Sequence, residues 1–458
     1  MSSLLKISAI VLFILLVFLN FTHTYAESQN DGAEFVTVML EAEDWPTSIS
    51  EQRARTKELQ DAALSGALSG RFDVVQRYET IPAMAGWMTT QSRDFVTSQA
   101  RSDSSNVITA IDETPAGGTI LPIEDGGSGA LATSIPQISA NRVHNKGFLG
   151  NNTEVAVIDT GIDLDHGDFA GAVVAQQCFC FNPGGNCCPN GSATQSGAGS
   201  AQDDNNHGSH VSGIVASRGN VSSVGVAPRT MITSVKALDA NNGFFSTSDI
   251  VLALDWLNVN RPNLDAVNMS LGTFARFSDT CDATFSWTQA LFTAVQNLVN
   301  KGVVVIASAG NDFANGSLNA PACLSNVVAI GAVNSSDQPA FFSNSDTNVE
   351  LFAPGVSIVS DNAVGGLVTF SGTSMAAPHV AGTVALIREA APNASRSNII
   401  SLLKSTGINV TDNFGLTRRR IDTYDAFCGL YQCTSASNGS GVNVSGGILL
   451  LLLDEEEN

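Results

Sequence analysis

Five short apolar runs, Val155–Ile158, Ile232–Val235, Ala266–Met269, Val303–Ala307 and Val327–Ala332, alternate with longer amphipathic stretches such as Ser248–Asn258 and Thr288–Lys301. The runs read as strands and the stretches between them as helices. Strands that alternate with helices build a parallel sheet covered on both faces. The fold class expected is therefore α/β, a mostly parallel sheet with helices on both faces. In such sheets ligands sit beyond the carboxyl ends of the strands, so functional side chains are expected just after the apolar runs.

The chain has room for this core and for accessory units, since 458 residues at roughly 150 per domain suggest about three. Apolar residues make up 43% and charged residues 14%, a globular balance that excludes a mainly disordered chain. With 43 acidic against 22 basic residues, the formal net charge is -21. A surface of clustered cations for phosphate backbones is not to be had from such a balance, so no nucleic-acid partner is expected.

Both ends carry segments outside the core. Lys6 precedes an apolar stretch from Ile7 to Phe21, and small Thr24 and Ala26 follow, the pattern of a secretory signal peptide cleaved after Ala26. Its uninterrupted apolar part, Ala9–Leu19, is shorter than the ~20 residues of a membrane span, so no membrane partner is expected. All eight cysteines lie beyond it, an even count suited to disulfides in an oxidising, extracellular compartment. Residues 435–458 read as a flexible tail, whose apolar run Ile448–Leu453 is too short to span or anchor. Between signal and sheet, residues 34–112 read as strand, helix, two strands, short helix and strand, a small α/β module of its own. Glycine-rich Pro115–Gly129 reads as a linker that tolerates a protease.

Three polar residues stand where function is expected. Asp159 ends the run Glu154-Val-Ala-Val-Ile-Asp. His207 lies in Asn206-His-Gly-Ser-His, ahead of apolar Val211–Ala216, and Ser374 lies in Phe370-Ser-Gly-Thr-Ser-Met-Ala-Ala-Pro-His, opening a helix to about Glu389. Each alone reads as a turn residue, a structural histidine or a helix cap. In the order Asp, His, Ser they match one known arrangement of a catalytic triad. An α/β-hydrolase esterase needs the order Ser, Asp, His and a Gly-x-Ser-x-Gly elbow, where this chain has Gly-Thr-Ser-Met-Ala.

On Val157-Ile-Asp-Thr-Gly-Ile-Asp, His207-Gly-Ser-His-Val-Ser-Gly, Ala309-Gly-Asn and Gly372-Thr-Ser-Met-Ala-Ala-Pro-His, the chain resembles the subtilisin-family (subtilase) serine proteases, over roughly Ser134 to Asp425. The resemblance implies a secreted serine endopeptidase that cuts proteins or peptides through an acyl-enzyme. Ser374 would be the nucleophile, His207 the base and later the acid, and Asp159 the holder of the other ring nitrogen. The amide of Asn311 and the backbone N–H of Ser374 would receive the oxyanion. A substrate strand would lie between Ser270-Leu271-Gly272 and Ser308-Ala309-Gly310, with Asn319 and Ala320 by the main side-chain pocket. No acidic cluster stands ready for a basic side chain, so a broad, mainly apolar preference is expected. A non-catalytic binding protein of the same family is the alternative, and the retention of all these residues argues against it.

Such proteases are made with an inhibitory propeptide of the pattern read at 34–112. The resemblance therefore divides the chain into signal peptide 1–26, propeptide 27–125, catalytic domain 126–434 and tail 435–458, the propeptide serving as intramolecular inhibitor of a monomer. No cofactor is implied for catalysis. Asp168 matches a carboxylate used at a calcium site in the family, so a structural calcium ion is raised there, although the loop Arg218–Val224 is short for it. Cys178, Cys180, Cys187 and Cys188 fall in an insertion between Asp159 and His207; their spacing admits zinc or disulfides, and export favours two crossed disulfides. Cys428 and Cys433 are expected to close a small loop. Cys281 and Cys323 are expected to pair, since helix and strand return the chain between them and many members share the Ala-Pro-Ala-Cys segment at the latter. His166, His210 and His379 read as structural.

Overall fold

Residues Ala33 to Glu113 follow the order read from the sequence. Strand β1 (Ala33–Leu40), helix α1 (Ile49–Ser65), β2 (Asp73–Arg77), β3 (Ala83–Thr89), α2 (Thr90–Ser102) and β4 (Ile108–Glu113) build an antiparallel sheet in the order β2-β3-β1-β4. The Ser48 hydroxyl accepts from the Glu51 N–H and so starts α1. Successive strand side chains point to opposite faces. Val36, Val38 and Leu40 therefore pack with Leu59 of α1 and Met84 and Met88 of β3, while Met39 faces away and joins the core of the following unit with Tyr78 and Ile81. The computed structural model describes residues 32–41, 45–102, 107–119, 123–124 and 131–433. The expected signal peptide, the processing site near residue 125 and the tail 435–458 lie outside the described residues.

The chain then runs through two short strands, β5 (Gly117–Gly118) and β6 (Ile123–Glu124), and two helices, α3 (Leu131–Gln137) and α4 (Ala140–His144). Next come β7 (Glu154–Asp159), β8 (Val173–Phe179), β9 (Thr194–Ser196), α5 (His207–Ala216), β10 (Met231–Lys236), β11 (Gly243–Phe244) and α6 (Thr247–Asn260). They are followed by β12 (Ala266–Met269), β13 (Gly272–Thr273), β14 (Arg276–Phe277), α7 (Ser286–Val299), β15 (Val304–Ser308) and β16 (Leu318–Asn319). The remainder comprises β17 (Val328–Val333), β18 (Val349–Pro354), β19 (Ile358–Asp361), β20 (Leu367–Ser371), α8 (Thr373–Ala390), α9 (Arg396–Ser405), β21 (Ile408–Thr411), β22 (Thr417–Arg420) and α10 (Thr423–Leu430).

The central sheet has the order β21-β22-β18-β17-β15-β12-β7-β10-β8-β9 and is parallel except for its two edge pairs. Both faces are covered, as the apolar runs require. Val155 and Val157 of β7 pack in a layer with Val211 and Val215 of α5 and Val380 and Val384 of α8. Ala156 and Ile158 turn the other way, to Ile250 and Leu254 of α6 and Leu291 and Val295 of α7. Each fully buried valine or leucine of this kind contributes roughly 1.5–3 kcal/mol. The N-terminal sheet rests on the outer side of this second layer, with β1 and β4 against α7. Among the described residues, no helix is long and apolar enough to cross a membrane.

Two readings are corrected. The segment taken for a linker is in part a strand: β5 is inserted between β11 and β13, antiparallel to both. Its glycines answer to space rather than to flexibility, because a Cβ on Gly117 would lie 2.3 Å from the Phe244 ring and 2.4 Å from the Gly272 carbonyl. In the insertion, the disulfides are nested, Cys178–Cys188 outside Cys180–Cys187, and not crossed. The chain returns antiparallel from β8, with the Cys187 N–H donating to the Cys180 carbonyl, so inner meets inner and outer meets outer. Cys281–Cys323 and Cys428–Cys433 pair as expected, and no cysteine is left over.

The Cys281–Cys323 bridge closes a loop of 42 positions that contains Asn311. Replacing both cysteines by alanine is expected to cost roughly 4 kcal/mol in denaturant unfolding at 25 °C, the loop-entropy value for that length. An unchanged midpoint would show that the bridge does not restrain the unfolded chain.

Candidate active site

Asp159 is the last residue of β7, and its side chain is fully buried. One carboxylate oxygen, Oδ1, accepts the His207 Nδ1–H at 2.8 Å and the Thr160 N–H at 2.7 Å. The carboxylate as acceptor places the proton on Nδ1, so the second nitrogen, Nε2, carries a lone pair. That nitrogen is buried and has no hydrogen-bond partner among the described residues. His207 is the first residue of α5, which begins four residues earlier than its apolar part suggested. Gly208 lets the helix start rest on the turn after Asp159, since a Cβ there would lie 2.1 Å from the Gly161 carbonyl.

Two side chains not singled out from the sequence fix this geometry. Asp203 accepts from the backbone N–H groups of Asn205, Asn206 and Ser209 and from the hydroxyls of Thr160 and Ser209. Lys236, fully buried at the end of β10, donates to the Thr160 carbonyl at 2.7 Å, to Leu238 at 3.0 Å and to Asp204 at 2.6 Å. One ammonium thus ties the segments after β7, before α5 and before β11. The signal in the sequence was a lysine closing an otherwise uncharged strand.

Ser374 is the second residue of α8, a helix buried from Thr373 to Ile387. Its hydroxyl donates to the Ser270 carbonyl at 3.3 Å, and the Ser270 hydroxyl donates to the Ser374 carbonyl at 2.8 Å. The Asn311 Oδ1 accepts from the N–H and the hydroxyl of Thr373, both at 2.8 Å, which fixes the amide at the helix N-terminus, where backbone N–H groups lack intrahelical acceptors. Leu271, Gly272, Ser308, Gly310, Asn311 and Ser374 line one pocket, with Asn319 and Thr373. Ala309 and Ala320 are buried behind it, Ala309 donating to Ile330 and Ala320 to the Thr273 hydroxyl. Among the described residues, no acidic side chain lines this pocket.

Beside the pocket, β5 pairs Gly118 with Gly243 on one side and with Gly272 on the other. The Thr119 N–H donates to the Asn242 carbonyl at 3.0 Å. The wall opposite Gly272 is therefore β11, which the sequence had not indicated, while Ser308 and Gly310 serve the pocket.

Calcium at Asp168 does not fit the donors present. A calcium site turns oxygens toward the ion. Here the loop turns backbone N–H groups of Asn220, Val221 and Ser222 onto the Asp168 carboxylate, which closes the short loop by itself. Burial works to raise this carboxyl, yet the three N–H groups hold it below its ordinary value. His166 and Asp361 lie close enough to share an ion with it. But the His166 Nδ1 accepts the Asp168 N–H and its Nε2 meets the Gly366 carbonyl, so neither nitrogen has a spare lone pair. Burial, and next the Asp168 charge, push the Asp361 carboxyl up to about 9. Burial likewise pushes His210 down to about 3 and His379 to about 4, as befits neutral structural imidazoles. Asp168→Asn is expected to lower Tm by the same amount in calcium and in chelator; a drop confined to calcium would place an ion there.

Residues 150–429 match the model of the subtilase family. The chain belongs to that family. Subtilisin DY of Bacillus licheniformis is 37% identical over 284 residues, covering 61% of this chain and 92% of its own length. Subtilisin E of Bacillus subtilis (strain 168) is 36% identical over 299 residues, 64% of this chain and 71% of its own. An alkaline protease of Shouchella clausii is 30% identical over 401 residues, 86% of this chain and 92% of its own. A match of that extent does not fit into the residues after β4, so it reaches into the N-terminal unit. This subtilase is a serine endopeptidase, a hydrolase of a family that acts on protein substrates.

Proposed function

We propose that this subtilase is a secreted endopeptidase that works through Asp159, His207 and Ser374 and is made as a precursor held inactive by its N-terminal unit. The observation that carries the reading is the chain's own β5, an extended segment hydrogen-bonded in the groove beside Ser374. A groove that takes this strand by its backbone takes a substrate strand in the same way.

In the reaction the Ser374 hydroxyl leaves the Ser270 carbonyl and turns to the His207 Nε2, which takes its proton as Oγ attacks the scissile carbonyl. Asp159 holds the ring and stabilises the imidazolium. The oxyanion meets the Asn311 amide and the Ser374 N–H, donors whose removal typically costs about 10²–10³ in kcat each. His207 then passes its proton to the leaving amine, and water repeats the sequence on the acyl-enzyme. No metal or cofactor takes part in these steps.

The boundaries proposed are signal peptide 1–26, propeptide 27 to about 125, catalytic domain to 434 and tail 435–458, with cleavage after β5 freeing a monomeric enzyme. Export is supported by the leader pattern and by the complete pairing of cysteines. Inhibition is supported by the docking of the N-terminal unit. Asp255 of α6 accepts from the backbone of Glu79 and Thr80 and from the Thr80 hydroxyl, and Asp249 accepts from Gln76 at 2.6 Å.

Ser374→Ala is expected to abolish peptide hydrolysis, a loss of about 10⁶ in kcat for a unit of this kind, and to leave the precursor uncut. Normal maturation of that variant with no other protease present would contradict self-processing. Docking should also depend on pH. Burial in the docked state pushes Asp249 up to about 7 and Asp255 to about 6. Once the unit leaves, both carboxyls meet water and fall toward ordinary values, so docking takes up protons. It is strongest below the ordinary carboxylate range and weakens as pH rises through 6 and 7. Gel filtration of the cut but associated pair is expected to show dissociation favoured at least about tenfold at pH 8 over pH 5. Asp249→Asn should flatten the response, and a pair that tightens with rising pH would contradict the assignment.

A further inference from the structure

Four aromatic rings meet where β5 enters the groove. Phe35 of β1 stacks on Phe181 with centroids 5.7 Å apart and meets Phe245 edge-on at 5.6 Å. Trp87, the cross-strand partner of Phe35 on β3, lies 5.1 Å from Phe35 and 6.0 Å from Phe245. Phe181 and Phe245 are themselves 6.0 Å apart. Two rings thus belong to the N-terminal unit and two to the protease.

The protease's pair is held independently of what covers it. Phe181 directly follows Cys180, in the insertion braced by both nested disulfides, and its N–H donates to the Asp249 carboxylate at 3.0 Å. Phe245 directly follows β11, the groove wall. Both rings remain half-buried even beneath the N-terminal unit, and its departure strips Phe35 and Trp87 from them. A rigid aromatic pair uncovered at a groove mouth is the kind of surface that anchors partners, because ring contacts add to the burial of apolar area.

Its position relative to a bound chain is marked by one hydrogen bond. The Thr114 N–H donates to the Phe35 carbonyl at 3.0 Å, so the cluster lies beside the residue four positions before Gly118, which pairs with Gly272. Any substrate that follows the path of residues 114–118 passes these rings.

We propose that Phe181 and Phe245 form an aromatic subsite for protein substrates, upstream of the backbone-paired segment, which takes an aromatic side chain about four residues before the one paired with Gly272. In the precursor Phe35 and Trp87 fill it. The proposal rests on the protease reading above, and adds to it that the disulfide-braced insertion selects substrates.

The test uses the processed enzyme and three peptides with one common core: a long one with Phe at that upstream position, a long one with Ala there, and a short one that ends before it. For the wild type, kcat/KM for the Phe peptide is expected to exceed that for the Ala peptide roughly 3- to 10-fold, mainly through KM, the scale of an aromatic contact. Phe181→Ala should bring this ratio to one while cutting the short peptide at the wild-type rate, and Phe181→Trp should keep the preference. No preference in the wild type, or an equal one in Phe181→Ala, would overturn the subsite. Failure to cut even the short peptide would instead count against the catalytic reading. Calorimetry of the two long peptides on protein freed of its N-terminal unit by an added protease then decides the subsite: tighter binding of the Phe peptide, lost in Phe181→Ala, supports it, and equal binding refutes it.

Discussion

The hydrogen bond from His207 to Asp159 is the constraint on which the rest of the structure turns. It joins two wholly buried groups, one of them a carboxylate, and a buried charge is tolerated only where fixed dipoles or counter-charges replace water. The parallel sheet supplies that environment. β7 delivers Asp159 at its carboxyl end, and β10 beside it delivers the Lys236 ammonium to the next peptide unit. The Asp203 carboxylate gathers the N–H groups ahead of α5 and sets the ring that α5 carries. Across the same sheet, strand β12 ends just before Ser270 and β15 ends at Ser308, and α8 brings Ser374 back to them through the core.

The N-terminal unit meets this frame on the opposite layer. Its contacts divide in kind. Met39, Tyr78 and Ile81 bury apolar surface against the layer containing α6 and α7, while Asp249 and Asp255 receive polar groups of Gln76, Glu79 and Thr80. The apolar part supplies adhesion and the polar part position, since each buried carboxylate must be satisfied in one register. That register delivers residues 117–118 to the groove, where their lack of side chains lets the two walls close tightly on them. Fold and docking are thus one packing problem.

Much of this was legible in the sequence where local pattern and final environment coincide. The five apolar runs became central strands within a residue or so at each end, because strands buried on both faces carry their burial in composition. Asp159, His207, Asn311 and Ser374 were singled out because each lies in a glycine-rich motif after an apolar run. The misreadings share another cause. Gly117 and Gly118 look like linker glycines, since close approach by Phe244 and Gly272 comes from residues more than a hundred positions away. The nesting of Cys178–Cys188 over Cys180–Cys187 follows from the antiparallel return of the chain after β8, which spacing alone leaves open. Asp249 and Asp255 were not singled out, for nothing local tells that a second sheet lies over them. Asp168 carried its family's calcium association, yet the short loop answers it with N–H groups.

The central claim is that the pocket beside β5 holds one activated serine and that it is Ser374. It is tested most directly by treating the processed enzyme with a fluorophosphonate probe and locating the modified residue by peptide mapping. The account predicts a single adduct, on Ser374, formed by the processed enzyme and strongly suppressed while the N-terminal unit remains docked. An adduct on another serine, or none on an enzyme that still cuts peptides, would contradict it.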